Sequence, residues 1–217
     1  MKRATLIELV AERIVMVSSP HPVRVAIDGV DGVGKTTLAD ELAHAVSIYG
    51  RPVIRASVDS FHNPRSVRYR LGRDSPEGYF RDSFNYPALT TVLLAPLGPG
   101  GTRRYRGAIF NYRTDSEVTT PFETATEDAI LLFDGVFLHR PELLSYWDLS
   151  VFLDAPFEIT IPRASTRDGS SSDVTAAEDR RYVEGQRLYL QTCEPKRAAT
   201  IVINNENLSS PEVVTGQ

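Results

Sequence analysis

Eight consecutive residues, Gly29-Val30-Asp31-Gly32-Val33-Gly34-Lys35-Thr36, constrain this chain more than any other stretch. They satisfy the GxxxxGK[ST] pattern, which carries meaning only with a strand before it and a helix after it. Val23-Arg24-Val25-Ala26-Ile27 supplies the apolar strand. Leu38, Leu42, Val46 and Tyr49 recur at helical spacing, so a helix is predicted over 35–49, with Gly50 as its stop. The chemistry explains the composition. Glycines let backbone N–H groups turn toward an anion without a Cβ in the way, and the helix N-terminus adds unsatisfied donors. Gly29, Asp31, Gly32, Val33, Gly34, Lys35, Thr36 and Thr37 are thus the expected phosphate-binding residues. Lys35 would reach the β and γ phosphates, and the Thr36 hydroxyl would ligate Mg²⁺.

Such a loop establishes nucleotide phosphate binding and leaves the reaction open. A switch GTPase would carry an Asn-Lys-x-Asp segment, which this sequence lacks, and large motor ATPases need more chain than 217 residues. Two carboxylates narrow the choice. Asp59 and Asp134 each follow an apolar run, and open α/β sheets bind ligands beyond the carboxyl ends of their strands. One would hold Mg²⁺, directly or through water, and the other would accept a proton from an attacking hydroxyl. The competing reading is that either one caps a turn.

Strand and helix patterns alternate along most of the chain, with strands expected near 52–58, 129–133, 149–153 and 200–203 and helices between them. Continuous apolar runs such as Ala129-Ile130-Leu131-Leu132-Phe133 suit strands covered on both faces. The expected fold class is α/β, an open parallel sheet with helices on both faces. A first helix begins near Thr5, where Thr5 and Glu8 have capping-box spacing. Glu8, Glu12 and Arg13 interrupt its apolar run, so neither a signal sequence nor a membrane span fits, and the cytoplasm is the expected compartment. A single cysteine, Cys193, excludes an internal disulfide or a cysteine-rich zinc site. The net charge of −4 gives no reason to expect nucleic acid as a partner. Residues 60–126 differ from the rest: they are rich in Arg, Tyr, Asn, Pro and Gly, with broken periodicity. A short helix near 86–94 and an irregular hairpin over 103–122 are expected there.

These pieces together resemble the uridine kinase and phosphoribulokinase group of P-loop kinases. Val58-Asp59-Ser60-Phe61-His62 resembles the group's Asp-x-Phe-Tyr/His segment, whose Asp is taken as the catalytic base. Leu132-Phe133-Asp134-Gly135-Val136 resembles its apolar-Glu-Gly segment, with Asp in place of Glu. Phe152-Leu153-Asp154-Ala155-Pro156, followed by Arg163 and Arg167-Asp168, is similar to the strand and arginine-bearing helix that lead into the lid. The resemblance spans about 22–205 and implies a three-layer α/β/α P-loop fold of sheet order 2-3-1-4-5. It further implies one domain over 1–217, an acceptor-binding insertion at 60–126 and a lid at about 164–180. Two departures stand out. The loop wording is closer to thymidylate kinases, and Ile109-Phe110-Asn111-Tyr112-Arg113-Thr114-Asp115 ends in Asp where the group's His reads uracil.

Further candidates follow. Arg163 and Arg167 lie four apart, and a closing lid would bring them to the transferring phosphoryl group, with Arg180 and Arg181 able to join them. His62, Tyr79, Asp82 and Tyr112 are the expected acceptor contacts. The expected activity is transfer of the ATP γ-phosphoryl group to a hydroxyl of a small molecule, with ATP and Mg²⁺ as cofactors. By resemblance the acceptor is a nucleoside such as uridine or cytidine. Pantothenate, a nicotinamide riboside, a phosphosugar or a nucleoside monophosphate remain alternatives, as does a nucleotide-binding regulatory module. Homo-oligomers are compatible with this reading.

Overall fold

The computed structural model describes residues 1–168 and 180–214. Helix α1 (Arg3–Val15) precedes strand β1 (Val23–Gly29), helix α2 (Lys35–Ile48) and strand β2 (Val53–Ser57). A single 3₁₀ turn, Val58–Phe61, opens the irregular region. It holds three short helices, α3 (Arg65–Arg68), α4 (Pro76–Asp82) and α5 (Tyr86–Leu89), the last running into a π turn at Thr90–Leu94. Four two-residue strands follow: β3 (Arg104–Tyr105), β4 (Phe110–Asn111), β5 (Ser116–Glu117) and β6 (Glu123–Thr124). β3 pairs with β6 and β4 with β5, so the expected hairpin exists as two nested fragments. Regular structure resumes with β7 (Ile130–Gly135), α6 (Pro141–Leu144), β8 (Leu149–Asp154), α7 (Phe157–Asp168), α8 (Arg180–Cys193), α9 (Pro195–Ala198), β9 (Ile201–Asn204) and β10 (Glu212–Val214).

Among the described residues the main sheet runs β10-β9-β8-β1-β7-β2. Its five parallel strands, numbered in chain order, stand 2-3-1-4-5 as expected. The sixth, β10, is an antiparallel edge strand pairing Glu212 with Asn204, which the sequence reading did not anticipate. Period-two alternation gives the sheet two different faces. Val25, Ile27, Leu132, Val151 and Ile203 pack with α1 and α2. Ala26, Leu131, Phe133, Phe152 and Val202 pack with Phe61, Phe80, Phe84, Leu89, Leu93 and Tyr189. The irregular segment is therefore welded to the sheet by buried rings, each fully buried large side chain contributing about 1.5–3 kcal/mol.

Two local expectations need correction. α1 starts at Arg3 with Lys2 as its cap residue and no side-chain cap, so Thr5 lies inside the first turn rather than ahead of it. The Met1 ammonium donates to the Pro211 carbonyl at 3.1 Å, which holds this end of the helix against the chain's far end. In the irregular region α3 and α4 form where broken periodicity suggested loop. Ser75 caps α4 by accepting from the Gly78 N–H, and Pro76 occupies its first turn.

Candidate active site

β1 delivers the glycine-rich loop to the carboxyl edge of the sheet, and the residue at the junction is fully buried. Asp28 accepts hydrogen bonds from the Gly29 N–H (2.7 Å), the Leu138 N–H (3.1 Å) and the His139 N–H (3.2 Å). His139 Nδ1 lies 2.7 Å from the same carboxylate, and the Tyr189 hydroxyl donates to it as well. Burial, with Asp28 beside it, pushes the Tyr189 phenol well above its ordinary range. This network ties the loop's first residue to α8 and to the chain after β7. Gly32 has φ +73°, and a Cβ there would collide with the Thr160 carbonyl of α7. Gly34 has φ +99° at the cap position of α2, which no side chain caps. The first-turn N–H groups of α2 are thus left to an anion.

Lys35 folds back over the loop, donating to the Val30 carbonyl at 2.9 Å with the Asp31 carboxylate at 3.9 Å. Asp31 is held from three more directions. Its N–H donates to Gln186 Oε1 (2.6 Å), and its carboxylate accepts from Gln186 Nε2 (3.1 Å) and the Tyr79 hydroxyl (3.3 Å). Burial and the charges of Asp31 and Asp59 raise the Tyr79 phenol well above its usual range, so it stays a donor. Beside Lys35, the Thr36 hydroxyl donates to Asp134 Oδ2 at 2.9 Å. Arg55 donates to the other oxygen at 3.0 Å, which fixes the carboxylate plane. A hydroxyl and a carboxylate next to a phosphate-binding loop are hard oxygen donors of the kind Mg²⁺ prefers.

Most of the loop residues, Tyr79 and Asp134 line one cleft of about 640 Å³, a size suited to small ligands, while Asp28, Arg55 and Gln186 brace it from behind. One end carries Asp31, Gly32, Gly34, Lys35, Thr36, Thr37 and Asp134; the other carries Asp59, His62, Arg68, Tyr69, Tyr112, Arg181 and Tyr182. Asp59 sits in the 3₁₀ turn after β2, its N–H directed to Ser57 Oγ at 3.4 Å. His62 is sandwiched between Phe84 (4.6 Å) and Tyr112 (4.9 Å). Burial lowers its imidazole from 6.5 to about 4, against the raising effect of its Asp59 carbonyl contact and with Arg68 adding to the fall.

Several expected residues lie elsewhere. Asp82 faces Arg70 at 3.2 Å and does not line the cleft. Arg163 donates to the Asn205 (3.0 Å) and Glu206 (2.5 Å) carbonyls, so it fastens α7 to the chain after β9 instead of entering the cleft. Gly29 and Val33 also stay out of the lining, Val33 with its side chain wholly in the core. The Arg167 side chain and most of the lid expected at 164–180 lie outside the described residues. Reasoning from sequence missed Asp28, Arg55 and Gln186. No local motif signals them, because Gln186 meets Asp31 across 155 positions of chain.

No protein-family model matches the chain. Individual relatives do. The uridine kinase of Lactobacillus helveticus is 30% identical over 194 residues, covering 84% of this chain and 86% of its own. That of Leuconostoc citreum is 27% identical over 209 residues, covering 90% and 94%. The chain belongs to the uridine kinase family. The fold agrees. A possible uridine kinase from Bacillus stearothermophilus superposes with a TM-score of 0.73 at 24% identity, covering 92% of this chain and 97% of the other. A putative fructose transport system kinase from Silicibacter superposes at 0.69, covering 89% and 95%. Phosphoribulokinase from Rhodobacter spheroides gives 0.59 at 16% identity, covering 86% and 71%. Among the described residues no helix is long and apolar enough to cross a membrane.

Proposed function

We propose that this protein is an ATP-dependent kinase that phosphorylates a hydroxyl of a nucleoside such as uridine or cytidine, in the cytoplasm. The observation that carries the reading is that Asp59 and the Lys35–Thr36 end of the phosphate loop line one cleft. Relatives that are uridine kinases along nearly their whole length supply the acceptor class.

In this reading Asp59 takes the proton of the acceptor hydroxyl as its oxygen attacks the γ-phosphorus, and the bond from that phosphorus to the ADP oxygen breaks. The loop N–H groups and Lys35 hold the phosphates in line with the attack. Lys35 must swing from the Val30 carbonyl to do so. Thr36 and Asp134 would hold Mg²⁺, which, when bound, neutralises charge on the β and γ oxygens. Gln186 and Tyr79 keep Asp31, and hence the loop, in one conformation. Arg167 stays a candidate for a clamp from the 164–180 lid, with Arg180 and Arg181 beside it, and closure would keep water from the phosphoryl group. Residues 60–126 form the acceptor side of a single kinase unit.

A panel of nucleosides, pantothenate, hydroxylated sugars and their phosphates, incubated with ATP and Mg²⁺, tests this. ADP release above the hydrolysis background should appear with pyrimidine nucleosides. ADP release with none of the panel, despite ATP binding, would favour the regulatory alternative and overturn the proposal.

A further inference from the structure

Arg181 stands in the first turn of α8, lines the cleft and is only 6% exposed. Its guanidinium donates to the Arg73 carbonyl and, at 3.3 Å, to the Arg68 carbonyl. Three rings surround it, those of Tyr69 (4.9 Å), Tyr79 (5.7 Å) and Tyr182 (5.9 Å). Among the described residues no carboxylate lies within ion-pair distance, and the buried Nε–H has no hydrogen-bond partner. Neighbouring Arg68 shows what compensation looks like in the same wall. It is 8% exposed, and Asp115 neutralises it at 3.1 Å. His62 adds no charge near neutrality, because burial holds its titration near 4. Among the described residues, Arg181 is therefore a buried guanidinium of this wall held by carbonyls and rings, with one buried N–H left unused. A buried charge is costly unless paired, and a guanidinium with a free N–H pairs best with phosphate or carboxylate.

We propose that Arg181 is the centre of an anion subsite in the acceptor half of the cleft, and that its ligand is a phosphomonoester. The inference deepens the nucleoside kinase reading and rests on it only in placing the acceptor in this cleft. The phosphate has two chemical sources, the phosphoryl group newly carried by the product or a phosphate already on the acceptor.

The test uses full-length protein with ¹⁵N-labelled arginine and saturating ADP, which fills the phosphate loop. The Arg181 Nε–H resonance is assigned by its loss in Arg181→Lys and followed as inorganic phosphate is added at constant ionic strength. A saturable shift of that resonance supports the subsite. A resonance that phosphate leaves unmoved, or that chloride moves equally, overturns it. Calorimetry then separates the sources. If the product supplies the phosphate, Arg181→Gln weakens uridine 5′-monophosphate by about ten- to a hundredfold and leaves uridine nearly unchanged. Equal losses for both would mean that Arg181 only braces the Arg68–Arg73 backbone, and the proposal falls. If neither nucleoside compound binds while phosphate and a sugar phosphate still shift Arg181, the nucleoside reading fails. The subsite then stands, with the acceptor's own phosphate as its ligand.

Discussion

The two ends of the cleft are built by different means. The donor end consists of backbone held in place by a sheet. β1 pairs with β7 and β8 on either side, Asp28 collects donors from three segments, and glycines let the main chain face the ligand. The other end consists of side chains gathered from short turns and helices and from the start of α8: His62 between two rings, Arg68 on Asp115, Arg181 among three tyrosines. Backbone geometry around a phosphate is fixed by the anion's own shape, so one loop serves many enzymes. Side-chain geometry around an acceptor is set by ring packing and charge pairs, and it can differ within a family while the sheet stays constant. The Asp115–Arg68 pair, where the family resemblance leads one to expect a base-reading His, is an instance.

If a proton and a phosphoryl group pass between the two ends, substitution of the carboxylate that faces the loop from the other end should have the largest effect. Asp59→Asn is expected to lower kcat by about 10²–10⁴-fold with the ATP KM nearly unchanged, measured by steady-state kinetics on the best acceptor. An unchanged kcat would dissociate Asp59 from proton transfer. Next comes the anchorage of the donor end. Asp28→Asn keeps the shape but turns an amide donor toward a set of donors, and should cost about 2–3 kcal/mol of stability by urea denaturation. Asp115→Asn, in the more exposed acceptor half, should cost less. The reverse order would contradict the contrast drawn between the two ends. Gln186→Leu removes both bonds to Asp31 and should raise the ATP KM by about tenfold, with a smaller change in kcat. The smallest effect concerns His62. Its folded pKa of about 4 lies below the ordinary 6.5, so between those values the unfolded chain binds more protons. The stability from keeping it neutral is complete above about pH 6.5 and is lost as pH falls toward 4. His62→Phe should flatten that slope, read as urea stability measured at intervals between pH 4 and 7.

The same contrast explains how far the sequence could be read. The phosphate loop and the five parallel strands were legible because most of the strands are apolar runs, with Asp134 near the end of one and Asp59 two residues beyond another, whereas their order followed from the family resemblance. Asp59, Lys35, Thr36 and Asp134 fall on one cleft for that reason. β10 was invisible, since three residues at a sheet edge need no apolar run of their own. α3 and α4 were missed because proline and serine set their starts and buried rings hold them, with too few turns to show a period. Helical spacing put Arg163 with Arg167 on a lid face. It could not foresee the Asn205 and Glu206 carbonyls that take the Arg163 guanidinium. Gln186 depends on α8 crossing the loop, a relation no local pattern encodes, whereas Arg181 on the same helix was a candidate from sequence.

The central claim is that a phosphoryl group passes across this cleft from loop-bound ATP to a nucleoside hydroxyl beside Asp59. A single-turnover reaction with γ-labelled ATP, Mg²⁺ and uridine, with products separated by chromatography, tests it directly. The account predicts label in uridine monophosphate with wild-type protein and almost none with Asp59→Asn. Label appearing only as inorganic phosphate, or equally in the monophosphate with both proteins, would contradict it.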